Sequence, residues 1–439
     1  MGYGMERLNQ IVEKLNDLLW DFPMLALLLG THLYFTVRLG FIQKKVPRGI
    51  RLSFSREGMQ KEGLSPYEAL STALAATIGT GNIIGISAAI AIGGPGAVFW
   101  CWLSGLLGMA TCYAECFLSA RYRFRGLDGT VRGGPMYVME RVLHKKGLAV
   151  LFSFFAVVAA LSVGSSVQAH SLAAAVTQQL PVSPNLVGIA AAMLAGSILV
   201  GGAKKTAKAC TCLVPVMSVI YLSGCLYIIV RNAAWLPETM KAIVGSAFSS
   251  RSFIGGIAGT AVMTGIRTGM AKGLFTNEAG MGSMPMTAAL SNEDSPVRQG
   301  LISMTGIFWD TLVMCAVTGL AILSDMIRSP APYRDAAEDE LCFIAFSGLP
   351  FAGQQLLSLC LVLFSFATII GWSFYGERAA EYLWGKKGVG LFEIGYMVFV
   401  YLGAVLSLDF VWNLSDLANA CMAVPNLICL WMLRKKVVT

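Results

Sequence analysis

Apolar residues run along this chain in stretches of about twenty, separated by short segments that carry most of the charge. A membrane-crossing helix needs about 20 mainly apolar residues. That ruler predicts eleven spans, at 18–37, 65–92, 97–120, 147–178, 184–202, 210–230, 253–283, 299–323, 354–376, 389–407 and 411–433. Two of them are not uniformly apolar. The second holds Ala75-Ala76-Thr77-Ile78-Gly79-Thr80-Gly81-Asn82-Ile83-Ile84-Gly85, and the seventh holds a glycine-rich, charged run from Gly265 to Gly282 that includes Arg267, Lys272 and Glu278. A helix in lipid satisfies its own backbone, so an interruption must line a cavity or be packed in protein.

The order of the spans gives these interruptions a meaning. Spans 2–6 and 7–11 form two groups of five, and an odd number makes the second group enter the membrane from the opposite side. Each group opens on an interrupted helix, the layout of an inverted repeat whose broken helices build a midplane site in secondary transporters. The predicted fold is therefore an all-α polytopic membrane protein of about 11 helices, with one extra N-terminal helix before a 5+5 core. Residues 1–64 would hold the extra helix and a basic loop, 65–230 the first repeat and 231–439 the second. An alternative for Gly265, Gly269 and Gly273, spaced by four, is small-residue helix packing.

Composition agrees with this picture and narrows the function. Of 439 residues 56% are hydrophobic and 13% charged, about half the charge of an average soluble domain. No extramembrane segment exceeds about 30 residues, which leaves no room for a soluble nucleotide-binding or catalytic domain. Gly79-Thr-Gly81 lacks a Walker lysine and sits in an apolar helix, so it is not a nucleotide loop. No HExxH occurs, and Ser, His and Asp do not converge at a recognisable spacing, which argues against an enzyme. The halves carry no filter-like repeat, which argues against a channel. The 11 cysteines lie almost all in apolar stretches with no CxxC, and only Cys210 and Cys212 are closely spaced, so reduced, buried thiols are expected.

The net charge of +8 could suggest nucleic acid, yet the basic residues recur between spans instead of clustering. Alternate loops beginning at 38–64 carry 24 Lys and Arg, the opposite loops seven, and Arg267 and Lys272 lie within a span. By the positive-inside rule the N-terminus is outside and the C-terminus, with Arg434, Lys435 and Lys436, is cytoplasmic. No small-residue cleavage site follows the first apolar run, so no removable signal peptide is expected. A multi-pass protein of a bacterial or archaeal cell (inner) membrane is the expected location.

Broken helices expose N–H groups that suit a carboxylate and carbonyls that suit a cation, so a zwitterion fits between them. Sodium can be held by carbonyls and hydroxyls alone.

Three motifs in order sharpen this: Thr77 to Asn82, Gly133-Gly134-Pro135-Met136-Tyr137, and Gly273-Leu274-Phe275-Thr276-Asn277-Glu278-Ala279-Gly280-Met281-Gly282-Ser283. At these residues the chain resembles the alanine or glycine:cation symporter family, sodium-coupled amino-acid carriers of the inverted-repeat superfamily typified by the bacterial leucine transporter. The resemblance implies that Thr77, Gly79, Thr80, Gly81 and Asn82 line the carboxylate end of an amino-acid pocket approached by Gln168. It implies that Phe275, Thr368 and Trp372 surround the side chain, and that sodium lies between the carbonyls of Ala75 and Ile78 and the hydroxyls of Ser365 and Thr368. The implied function is sodium-coupled uptake of a small neutral amino acid, alanine or glycine, by alternating access. No cofactor is expected beyond sodium as coupling ion, and the expected partners are the amino acid, sodium and the lipid bilayer, with no nucleic acid.

Several residues keep alternatives. Asn82 and Gln168 could instead be glue between helices, and Trp372 could be packing. Asp310, near the middle of the eighth span, reads either as the partner of Arg267 or Lys272 in an internal salt bridge or as a proton site. Proton-coupled or exchange transport through Asp310 or Glu115 is accordingly the rival mechanism.

Overall fold

A computed structural model describes residues 3–20, 22–55, 63–127, 129–248, 262–350, 352–406 and 409–439. Nearly all of it is helical. The first helices are α1 (Tyr3–Trp20), α2 (Phe22–Arg38), α3 (Val46–Ser53), α4 (Pro66–Thr77), α5 (Ile84–Gly93), α6 (Gly96–Arg121) and α7 (Pro135–Arg141). A wound segment follows in which α8 (Lys146–Ala159) and α9 (Val167–Gln179) are joined by a π-turn at Ala160–Ser166. Next come α10 (Pro184–Leu199), α11 (Gly202–Arg231), α12 (Leu236–Phe248), α13 (Val262–Asn277) and α14 (Met284–Ala288). Then α15 (Pro296–Ile307) continues through a π-turn at Phe308–Cys315 into α16 (Ala316–Arg328), followed by α17 (Leu341–Ser347), α18 (Gly353–Val405) and α19 (Asp409–Leu433).

Three starts share one device. Ser65, Ser183 and Ser295 each accept a hydrogen bond at Oγ from the backbone N–H three residues on, and each precedes a proline at the first helical position. Proline there fixes φ without losing a needed donor. Ser65 adds a full capping box, its own N–H donating to Glu68 Oε2 at 2.7 Å.

Among the described residues six helices are long and apolar enough to cross a membrane, and two further pairs pass together across a bend. One of these is the predicted break: Pro66–Thr77 and Thr80–Gly93 meet at 61°. The predicted spans 354–376 and 389–407 run on as the single stretch α18, divided where Gly385 takes φ 69°. Glycine alone adopts that angle freely. The boundary expected at 377–388 thus falls at Gly385, with helix on either side of it instead of an extended loop.

The second interrupted segment divides in two. Gly265, Gly269 and Gly273 belong to continuous α13, and a Cβ on Gly269 or Gly273 would run into the Ala97 carbonyl or the Ser104 hydroxyl of α6. Those glycines are helix-packing positions. The break itself lies at 278–283, where Glu278, Gly280 and Gly282 take φ of 54°, 88° and 84°. The side chains of Arg267 and Phe275, like residues 249–261, lie outside the described residues. All eleven cysteines are free thiols.

Candidate functional site

The two breaks meet around one buried cavity of about 20 Å³, lined by Ala76, Thr77, Gly79, Gly81, Val163, Gln168, Thr276, Glu278, Thr368, Trp372 and Asn419. Five elements contribute: the α4–α5 break, the π-turn at Ala160–Ser166 with α9, the end of α13, α18 and α19. Close packing sets the geometry. Gly371 brings α18 so near to α4 that a Cβ there would collide with the backbone of Ala75 and Ala76. At Gly79 a Cβ would stand 2.6 Å from Thr368 Oγ1 and 3.7 Å from Gln168 Oε1. The π-turn is pinned by buried Tyr396, whose hydroxyl is 3.0 Å from the Gly164 carbonyl and 2.7 Å from that of Ile369. Trp372 packs directly on Gly164.

Hydrogen bonding at the first break separates Asn82 from the rest. The Gly79 N–H, whose helical acceptor would be the Ala75 carbonyl, donates instead to Asn82 Oδ1 at 2.9 Å. Asn82 Nδ2 donates to Asp310 Oδ1 at 2.7 Å, and Asp310 Oδ2 accepts from Thr311 Oγ1 at 2.8 Å. Asn82 thus holds the break to the π-turn at Phe308–Cys315 and is not among the cavity-lining residues. Asp310 is paired through these neutral donors, not through Lys272, which faces Asp416. Thr80 donates to Gln168 Oε1 at 3.3 Å, which joins the first break to α9.

At the second break Glu278 accepts from the hydroxyl of Ser283 and is reached by the Trp372 side chain. Behind it, Glu115 of α6 accepts from Asn426 Nδ2 at 2.8 Å, and Asn426 Nδ2 also lies 2.9 Å from the Gly280 carbonyl. Asn277 Oδ1 accepts from the Ala279 N–H at 3.0 Å and closes the turn.

Some buried polar atoms at the site have no partner: Thr77 Oγ1, Ser365 Oγ, Thr368 Oγ1 and Asn419 Oδ1. Buried polar groups are nearly always hydrogen-bonded, so three orphans lining one cavity, with Ser365 one helical turn before Thr368, point to a place where something else binds.

Of the residues expected from the sequence, Thr77, Gly79, Gly81, Gln168, Thr368 and Trp372 line the cavity together, and Thr80 touches it through Gln168. Ala75 and Ser365 are fully buried, Ala75 against α18 at Gly371. Ala76, Val163, Thr276, Glu278 and Asn419 belong to the cavity and were not expected there. Glu278 stood inside a quoted motif, and Asn419 is a single amide in the apolar run Leu417-Ala418-Asn419-Ala420, the same signal that pointed to Gln168.

The family model of the sodium:alanine symporters matches residues 5–439. The chain belongs to the sodium:alanine symporter family. Relatives of this family include a "Sodium/alanine symporter AgcS" of Methanococcus maripaludis, 41% identical over 98% of this chain and 95% of that protein. An uncharacterised transporter of Haemophilus influenzae is also 41% identical, over 98% and 95%. A "Probable sodium/glutamine symporter GlnT" of Bacillus subtilis is 36% identical over 98% and 90%. Among solved structures, MhsT in complex with L-phenylalanine aligns over 85% of this chain and 90% of that one with TM-score 0.61 at 12% identity. A substrate-bound, outward-open sodium-coupled sialic acid symporter aligns over 89% and 82% with TM-score 0.56 and 12% identity. The leucine-transporter-type fold expected from the sequence is thus the fold of this sodium:alanine symporter family member. It is a multi-pass membrane transporter of the sodium-coupled amino-acid class, and not an enzyme.

Proposed function

We propose that this protein carries a small neutral amino acid, alanine or glycine, into the cell together with sodium. The observation that carries this reading is the cavity at the meeting point of the two breaks. Its volume of about 20 Å³ is room for roughly one water, so any amino acid requires the walls to move apart, and the smallest side chains require the least. The 41% identical relative named as a sodium/alanine symporter supports alanine over larger substrates. The carboxylate sits at the Gly79–Gly81 backbone, where the second half-helix begins.

Sodium takes the place beside α18. Ser365 and Thr368 present unpartnered hydroxyl oxygens, and the Ala75 carbonyl has given up its helical N–H to Asn82. With the Ile78 carbonyl these supply hard oxygen ligands of the kind a small cation takes. Asn82 works here as a positioning residue: its hydrogen bond to the Gly79 N–H keeps that carbonyl available. The basic loops face the cytoplasm, and the repeats at 65–230 and 231–439 rock around the site. One sodium moving through ~100 mV releases about 2.3 kcal/mol, and a tenfold gradient adds about 1.4, together enough for accumulation of several hundredfold.

The test is uptake of labelled alanine by proteoliposomes under an inward sodium gradient, compared with choline and with a proton gradient. Uptake requiring sodium and competed by glycine supports the reading. Uptake that ignores sodium and follows pH refutes it and moves coupling to the carboxylates Asp310 or Glu115.

A further inference from the structure

We infer that Asn419, with Glu278 beside it, forms the end of the cavity that takes the α-ammonium group of the substrate. This rests on the amino-acid transport reading above and adds the subsite that orients the zwitterion.

Asn419 lies on α19, outside both breaks, and its side chain is 2% exposed. It lines the cavity, its Oδ1 has no partner, and it makes no hydrogen bond with any described residue. Two other buried asparagines near the breaks behave differently. Asn82 holds Gly79 and Asp310, and Asn426 holds Glu115 and Gly280. A buried amide with nothing to bond costs about 1–3 kcal/mol, and here it lines a cavity in which a ligand can supply what it lacks.

Chemistry on the same wall says which ligand group that is. Thr276 spends its hydroxyl proton on the carbonyls of Gly273 or Lys272, at 2.9 and 3.0 Å, so its oxygen can only accept, and one weak thiol donor, Cys315 at 3.9 Å, leaves it a free lone pair. Glu278 adds a carboxylate. Among the described residues no Lys, Arg or His lines the cavity. Acceptor oxygens, a carboxyl group's among them, suit a group with three N–H donors and positive charge. The Gly79–Gly81 backbone offers the opposite polarity, so an α-amino acid is held by its two charged groups on different elements of the fold.

The experiment compares two competitors that share a carbon skeleton. Alanine and propionate are each titrated against labelled alanine, and propionate has no ammonium. With full-length protein at saturating sodium, Asn419→Ala should weaken alanine about tenfold or more, the loss expected for a hydrogen bond to a charged group. Propionate should change by less than about twofold, so the preference for alanine falls by the same factor. Asn419→Asp keeps an acceptor oxygen and should restore alanine to within about threefold of wild type. Asn419→Ser, too short to reach, serves as the comparison if the alanine variant does not fold. Equal weakening of alanine and propionate overturns the assignment, as does an effect that appears only as a higher sodium requirement, which would make the wall a cation site. Wild-type protein that binds no alanine in sodium overturns the transport reading itself, an outcome visible before any variant is compared.

Discussion

Thr368→Val puts the sodium site to a test in which stability and function move in opposite directions. Thr368 is 2% exposed and its hydroxyl has no partner. Valine has nearly the same shape without the hydroxyl. A buried hydroxyl without a hydrogen bond costs about 1–3 kcal/mol, so in sodium-free choline buffer the valine variant should be more stable than wild type, by roughly 1 kcal/mol or more. Sodium reverses the order. At a concentration 100-fold above its dissociation constant it should stabilise wild type by about 2.7 kcal/mol. If loss of one oxygen ligand weakens sodium tenfold, about 1.4 kcal/mol, the same concentration is only tenfold above the dissociation constant and contributes about 1.4 kcal/mol. Thermal unfolding of purified protein in choline and in sodium reads both effects, and tracer uptake should fall at least tenfold alongside. A variant that is less stable than wild type in choline and keeps the full sodium shift would refute the assignment of Thr368 as an ion ligand.

Gly79→Ala should leave the protein folded, since φ at Gly79 is −137°, while placing a methyl 2.6 Å from Thr368 Oγ1; initial uptake rate should drop about 100-fold, a loss of roughly 2.7 kcal/mol in transition-state terms. Asn82→Asp sets a second carboxylate against Asp310 at the present 2.7 Å contact and should abolish uptake, whereas Asn82→Asp combined with Asp310→Asn restores a neutral–charged pair and should recover a substantial part of it; a double variant as inactive as the single one would show that more than this contact is at stake. Ser65→Ala removes the cap at the start of α4, so thermal stability should fall by about 1 kcal/mol with uptake per folded molecule unchanged.

The sequence made the first break legible because polar and small residues crowd where Leu and Val would otherwise stand, and lipid gives such residues no other use. The second was harder. Gly265, Gly269 and Gly273 carry the same composition as a break, yet they lie in a continuous helix against α6, and only the positive φ of Glu278, Gly280 and Gly282 shows where the helix ends. Composition cannot tell a glycine that lets a neighbour approach from one that turns the chain. The division after the ninth span was legible from the charges at 377–388, but not its form: it is a single non-helical residue, Gly385, with helix on either side. Amphipathic α1 and short α12 carry too little apolar length to register as spans.

Pairings across the fold lie further from what one chain reveals. That Asn82 meets Asp310, 228 residues away, follows from how the broken helix packs on a π-turn and from nothing local. The same packing decides which polar residues bind and which hold. In a membrane interior every amide and hydroxyl must find a partner, so polarity alone marks Asn82, Asn426, Gln168 and Asn419 as equally candidate ligands. Once partners are assigned they separate. Asn82 and Asn426 are consumed by the scaffold, Gln168 is shared between Thr80 and its own helix, and Asn419 is left over. A residue that is both buried and unsatisfied beside a cavity is stable only in company, and transport requires that the company leave. On the transport reading proposed above, the orphaned groups of Thr77, Ser365, Thr368 and Asn419 would do two things: bind the cargo, and make the unloaded closed state costly.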